Sequence, residues 1–587
     1  MIKPKKAIEE IIPYEIDYYK QDWRLKLDAN ENIYGCSNVV LSAIKNLTAQ
    51  DVSLYPAYGN LIDKFSSKYE LDKNQILFTN GCDEALNVVV NAYLDVDDEI
   101  LAYQPTFSMP FLYAKCAGAK TRYIEYSEKY VFNKGDFRQN IQSQTKIVYI
   151  ATPNNPTGEL AKASVVELLL QEFPEVLFIL DCTYINFSYK ATFLDYIDLT
   201  RKYDNIIAVK SYSKDFAIAG LRFGLTIANE NIISNLKKVV SPYSVNAVAL
   251  NCVLMILNDE AKMEENRDLN IEAREFLIQE LKRHGFHPYE SEANFVLCDF
   301  HSYCDFYYEK LKKNGVIVRK YSKNSSLSSC LRITVPKMGG VKFISELLNK
   351  KDVLIFDIDG VIFDVRNSSI SAIAQTYEYF SHKKLSKDEI NEVKSLSGMN
   401  CDWDVVSHLL QKNNIEVQMG DIITVFQNIF YNSKDKTRKY LIDNEQLLIS
   451  KNTFERLNEK YDMVIFSERF REEIKYSFEK FDIDKYFYYY ITSDELPKNM
   501  LKPHAKGVLN ILEHCPHKTI KYLGDSIDDV LSGNSANVEM IGVISPGSDY
   551  NLMVNNFRHL GVKNILGEIK NIENFLEEIE QEYAKNS

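Results

Sequence analysis

Short apolar, β-branched runs alternate with helix-length amphipathic stretches along this 587-residue chain, and the alternation begins twice. The first series includes KIVYI (146–150), VLFIL (176–180) and NIIAV (205–209). A second opens with VLIFD at 353 and continues through MVIFS (463–467) and IKYLGD (520–525). This period predicts two α/β units with mostly parallel sheets, each with its own core, as expected for a chain several domain lengths long. With no low-complexity linker and no internal repeat, the units are expected to join tightly, residues 1–350 to residues 351–587. The last segment, IENFLEEIEQEY, puts Ile572, Phe575, Leu576 and Ile579 on one helical face.

Composition narrows the class. At 45% hydrophobic and 26% charged residues the chain reads as globular, and no apolar run approaches the ~20 residues of a membrane span. A net charge of −13 argues against nucleic-acid binding, which needs clustered lysine and arginine. Ten cysteines without a CxxC pair suit a reducing compartment, and the start, MIKPKKAIEEIIPYEIDYYK, has no secretory h-region. A cytoplasmic protein is expected.

Lys214, in SYSKDFAIAGLRFG (211–224), follows a β-rich run and precedes Gly220 and Arg222. A lysine so placed can form a Schiff base with a carbonyl cofactor such as pyridoxal phosphate, with Arg222 as a cation beside its phosphate. Alone it is as readily a surface residue. Asp181 ends the run VLFIL, where a carboxylate can pair with a pyridinium nitrogen, and Tyr184 and Asn155 can hydrogen-bond a phenolic ring oxygen. A helix cap or a turn accounts for each singly; their joint order points to a cofactor site.

The segments IIPYE, LDANENIYG, LYPAYG, TNGCDEAL, ATPNNPTG, SYSKDFAIAGLRFG, EANFVL and CLRITV make residues 8–345 resemble a fold-type I pyridoxal-phosphate aminotransferase, most similar to histidinol-phosphate aminotransferases. The resemblance implies that Gly81, Cys82, Asp83, Ser211, Ser213 and Arg222 hold the cofactor phosphate, that Phe107 stacks on its ring, and that Tyr55 reaches the cofactor of a neighbouring subunit in a homodimer. It gives Arg332 the carboxylate of glutamate and turns Tyr14, Asn32 and Arg319 toward the second substrate. Cys182 and Thr183 depart from the family's acidic and small residues, and Phe107 replaces the commoner tyrosine, so the substrate pocket is less defined than the cofactor site.

In the second series, LIFDIDGVIFDV (354–365) puts Asp357 and Asp359 at the end of a buried strand, where open α/β sheets place ligand chemistry. Two such carboxylates can serve as nucleophile toward phosphorus and proton donor, although DIDG alone is also a turn motif. Ser467 ends a later strand, LKP offers Lys502, and YLGDSIDD (522–529) brings Asp525 and Asp529: a hydroxyl and an amine for phosphoryl oxygens, with hard carboxylates for Mg²⁺. Residues 352–587 thereby resemble the haloacid dehalogenase superfamily of phosphatases, a Rossmann-like fold. By that resemblance Asp357 forms an aspartyl-phosphate and Asp359 is general acid, then base. Asp525 holds Mg²⁺ with Asp357 and the Asp359 carbonyl, Asp529 supports the cluster, and Asp528 is an alternative ligand. The insertion at about 366–450 reads as a helical cap, with LSGMNCDWD (396–404) lining the pocket or, for Trp403, packing the cap. EHCPHK (513–518) is a turn or a small metal site.

Together these readings imply a bifunctional enzyme that aminates a small phosphorylated carbonyl compound and then removes the phosphate. The alternatives are amination of dihydroxyacetone phosphate, decarboxylation of a phosphoamino acid, and a pyridoxal-phosphate sensor with an inactive phosphatase module.

Overall fold

The computed structural model describes residues 2–9, 11, 22–394, 396–432, 434 and 439–586; Tyr14 lies outside them. Two compact units emerge: Met1–His301 with Gly315–Leu348, and Ser302–Asn314 with Asn349–Ser587.

The first unit is built on a seven-stranded sheet in the order Ile76–Thr79, Gly224–Ala228, Ile206–Ser211, Leu177–Asp181, Thr145–Ala151, Glu99–Tyr103, Lys120–Ile124. Gly224–Ala228 runs against its two neighbours and the other six strands are parallel. Central strands covered on both faces need apolar residues at every position, and so KIVYI shows no polar alternation. Its Ile147 and Tyr149 enter the core on one face while Val148 and Ile150 enter that on the other. A smaller five-stranded sheet orders Leu25–Leu27, Val316–Lys320, Cys330–Thr334, Phe295–Asp299 and His287–Pro288.

In the second unit six parallel strands lie in the order Phe487–Ile491, Tyr461–Phe466, Asp352–Phe356, Ile520–Gly524, Glu539–Val543, Asn564–Leu566. The chain winds outward in both directions from Asp352–Phe356, leaving the crevice of a topological switch point at the carboxyl end of that strand. A two-stranded ladder pairs Phe363 with Leu447 and Asp364 with Gln446. Between its strands lie four helices, Ser369–Ser381, Lys387–Lys394, Asp402–Lys412 and Met419–Phe430, whose apolar faces share the unit's core. Helix Cys304–Lys313 also belongs to this unit, and its buried Lys310 meets Asp462 Oδ2 at 2.8 Å. Ile572, Leu576 and Ile579 of the final helix are buried, as their spacing predicts, with Phe575 half-buried against the core.

Among the described residues no helix is long and apolar enough to cross a membrane.

Candidate active sites

Lys214 follows strand Ile206–Ser211 and donates from Nζ to the Ala29 carbonyl at 2.7 Å. Burial, reinforced by the nearby Arg332 and Arg222 guanidiniums, pushes its amine down to about 8. Asp181 ends strand Leu177–Asp181, accepting from Tyr149 Oη at 2.8 Å and Thr183 Oγ1 at 2.6 Å. Burial raises its carboxyl above the usual range despite these bonds. The Tyr184 hydroxyl accepts from Asn30 Nδ2 at 3.0 Å. Asn155 Oδ1 accepts from Arg332 Nη1 at 2.5 Å, and Arg332 also bonds the Asp28 carbonyl.

Gly81, at φ +80, precedes helix Cys82–Tyr93, and a Cβ there would stand 2.5 Å from Arg222 Nη2. Arg222 also reaches Asp83 Oδ2 at 3.0 Å and Ser213 Oγ at 3.3 Å, while Ser211 Oγ accepts from Ser213 N at 3.2 Å. Gly81, Cys82, Asp83, Ser211, Ser213 and Arg222 therefore converge on one cradle of helix-terminal amides, hydroxyls and a guanidinium. That donor set fits a phosphate monoester.

Other expected positions lie differently. Phe107 packs at the edge of a core cluster, and Tyr55 is exposed with its ring stacked on Tyr243 at 4.5 Å. The Asn32 side chain bonds the Asp215 carbonyl and the Tyr34 amide, so it anchors the lysine segment from within the protein. Arg319 is the cross-strand partner of Arg332. Arg332 Nε is buried with no hydrogen-bond partner among the described residues, a donor suited to a substrate carboxylate. Sequence reasoning missed Tyr149, Asn30 and the buried Lys210–Asp215 pair, whose 2.6 Å contact spans the segment carrying Lys214.

In the second unit Asp357 follows strand Asp352–Phe356, and Lys502 Nζ is fully buried between Asp357 Oδ1 at 2.8 Å and Asp529 Oδ1 at 2.7 Å. Oxygens of Asp357, Asp525 and Asp529 all lie within 4.8 Å of one another. Burial, with Asp529 and Asp359 nearby, raises Asp357 to about 7 against the pull of Lys502, and burial beside Asp357 and Asp529 lifts Asp525 well above its usual range. Burial alone would raise Asp529 as well, but Lys502, Tyr522 and Ser526 outweigh it and hold Asp529 low. Such crowding of carboxylates fits a divalent cation held by Asp357 and Asp525. Asp529 already serves Lys502, Tyr522 Oη and Ser526, and supports the cluster from behind. A Cβ on Gly360, at φ +73, would collide with the Asp525 carboxylate, which brings the main chain after Asp359 against the cluster.

One expectation is corrected. Asp528 is no alternative ligand: its carboxylate accepts from Ser397 Oγ and Gly398 N of the cap at 2.9–3.0 Å. The Asp359 side chain lies apart from the carboxylate cluster and accepts from Arg469 Nε at 2.8 Å, leaving only its carbonyl for a metal. Arg469 also meets Glu445 at 2.6 Å. Neither partner was foreseen, although an arginine two residues past Ser467 was a signal within the motif.

A cavity of about 470 Å³ opens over this cluster, lined by Asp357, Asp359, Ser467, Glu468, Lys394 and Asp525 among others. Burial pushes Glu468 up to about 8, opposed by Lys502 and aided by Asp357. Asn400 also lines the cavity, whereas Trp403 packs on Phe470 at 5.2 Å and lines a smaller cavity beside it. Cys515 is buried, and His514 and His517 bond backbone carbonyls, so EHCPHK forms no metal cluster among the described residues.

Fold and lysine site define a fold-type I aminotransferase domain, and the second unit is a haloacid dehalogenase-like domain. Residues 24–341 match the family model for aminotransferase class I and II, and residues 354–543 match that for haloacid dehalogenase-like hydrolase. The chain belongs to the class I and II aminotransferases and is an enzyme that joins this domain to a haloacid dehalogenase-like hydrolase domain. A histidinol-phosphate aminotransferase of Caldanaerobacter subterraneus is 31% identical over 339 residues, 56% of this chain and 95% of that protein. Among solved structures, the Sinorhizobium meliloti histidinol-phosphate aminotransferase, in complex with pyridoxal-5'-phosphate, aligns with TM-score 0.53 at 17% identity, over 59% of this chain and 98% of that one. The Clostridium acetobutylicum enzyme of the same name aligns with TM-score 0.51 at 24% identity, over 55% and 98%.

Proposed function

We propose that the chain aminates a small phosphorylated ketone or aldehyde, with glutamate as amino donor, and then hydrolyses the phosphate ester of the product. The observation that supports this reading most is the pairing in one chain of two clusters suited to phosphate, the Gly81–Ser213–Arg222 cradle for that of the cofactor and the Asp357–Lys502–Asp525 cluster for that of the substrate. The relatives' name makes imidazole-acetol phosphate the first candidate ketone.

In the first site the cradle would hold the phosphate of pyridoxal phosphate, Asp181 its ring nitrogen, Tyr184 and Asn155 its phenolic oxygen, and Lys214 its aldehyde carbon. Bound there, the cofactor supplies an electron sink for the substrate's α-carbon. With its amine near 8, Lys214 keeps a sizeable neutral fraction at cellular pH and can take a proton and return it. Arg332 binds the donor's carboxylate through a planar fork that lysine lacks.

In the second site Asp357 attacks phosphorus as the bond to the leaving oxygen breaks, and Asp359 gives that oxygen a proton. Asp359 then takes a proton from water, whose oxygen displaces Asp357 from phosphorus. Lys502 and Ser467 hold phosphoryl oxygens, and Mg²⁺ on Asp357 and Asp525 would offset their charge. The protein is read as a cytoplasmic homodimer, a reading supported by the exposed Tyr55.

The test follows amine, phosphate and carbon dioxide from full-length protein given glutamate, Mg²⁺ and a panel of phosphorylated ketones and phosphoamino acids. Amine followed by phosphate is expected, and Asp357→Asn should stop phosphate release while the pyridoxal absorbance and half-transamination persist. Carbon dioxide from a phosphoamino acid, without amination of any ketone, would overturn the reading.

A further inference from the structure

Beside the phosphate pocket the second unit holds a smaller cavity of about 40 Å³, room for a water-sized group. Glu468 lines both cavities and stands at their junction. Three lining atoms are buried without a hydrogen-bond partner among the described residues: Glu468 Oε2, Arg469 Nη1 and Ser369 Oγ. Ser369 is 1% and Arg469 6% exposed. Buried polar atoms are almost always paired, so three orphans around one cavity mark a place built for a ligand.

Charge identifies the ligand. The lining carries four carboxylates, Asp359, Asp402, Glu468 and Glu473, against one cation, Arg469. Asp402 is satisfied by Lys394 at 2.7 Å, and Asp359 by Arg469, whose guanidinium is shared with Glu445. Glu473 accepts from Gln427 Nε2 at 2.8 Å and the Phe470 amide, both neutral donors. That leaves Glu468 Oε2 as the one buried carboxyl oxygen of the lining without a partner among the described residues, and an ammonium beside it would stabilise the ionised form that burial alone disfavours. Trp403, Phe426 and Phe430 line the same cavity, and aromatic rings attract small cations.

We propose that Glu468 determines specificity in the hydrolase site by receiving the ammonium group of a phosphorylated amino alcohol, whose phosphate lies against Asp357 in the larger cavity. The inference rests on the hydrolase reading above and deepens it, because an amine is what the first site would make. Ser369 Oγ accepts a second proton of the ammonium, and Arg469 Nη1 donates to a lone pair elsewhere on the substrate.

The experiment measures kcat and KM for phosphate release by the full-length protein with Mg²⁺. It pairs 2-aminoethyl phosphate with propyl phosphate, and histidinol phosphate with its deamino ester, with p-nitrophenyl phosphate as a general reporter. Wild type should favour the amine of each pair by about tenfold or more in kcat/KM, chiefly through KM. Glu468→Gln should bring each ratio close to one, and Glu468→Asp should restore part of it. No preference in wild type, or ratios unchanged in Glu468→Gln, would overturn the inference while p-nitrophenyl phosphate is still cleaved. Release from no ester at all would instead overturn the hydrolase reading.

Discussion

Lys214 offers the sharpest test of the first site. An amine near 8 is about one-tenth free base at pH 7 and nine-tenths at pH 9, so its covalent capture of pyridoxal phosphate should accelerate about tenfold and then level off. An ordinary lysine amine at 10.5 would gain about a hundredfold over the same interval and still be climbing. The assay mixes cofactor-free protein with excess pyridoxal phosphate at half-unit pH steps, reads the absorbance change, and confirms attachment at Lys214 by borohydride reduction and mass mapping. Burial is the main cause of the depression and Arg332 the next. A neighbouring cation disfavours the ammonium form, so Arg332→Gln should move the midpoint upward and slow capture at pH 7. A hundredfold rise without a plateau in wild type, or a downward shift in Arg332→Gln, would refute the reasoning.

The second site yields two further predictions. Lys502→Met leaves Asp357 and Asp529 buried without their shared cation, and should cost the second unit about 3–5 kcal/mol at pH 8 in metal-free denaturant unfolding. Their folded-state pKa values would then rise, so the loss should grow as pH increases through them and shrink toward pH 5; a pH-independent loss would contradict the charge argument. Gly360→Ala forces a Cβ at φ +73 into Asp525 and should weaken Mg²⁺ binding about tenfold by calorimetry; unchanged affinity would separate that loop from the metal.

The strands were legible because sheets covered on both faces demand unbroken apolar runs, which both series show. Asp181, Asp357 and Asp525 were legible because each stands at the end of such a run, and Lys214 because it follows one within a few residues among small hydroxyl side chains. What escaped were partners drawn from distant segments, such as Asn30 for Tyr184 and Glu445 for Arg469. No local period announces such a contact. Tyr149 is an intermediate case: the one hydroxyl within KIVYI, it was counted as apolar, yet a phenol on a buried strand must find an acceptor, and it finds Asp181. Thr183 was noted as a departure from the family pattern, and its hydroxyl bonds the Asp181 carboxylate.

Lys310 gives the chain a property of interest to anyone wishing to divide it. A fragment beginning at residue 351 would retain every residue of the phosphate cluster but discard helix Cys304–Lys313, and the Asp462 carboxylate would be left in the interior without the Lys310 ammonium that bonds it at 2.8 Å. The expected penalty is about 3–5 kcal/mol, a large share of what holds a typical domain together. Cutting the gene between its two apparent halves would thus cripple the second, because part of that half's foundation is encoded some forty residues upstream of the cut.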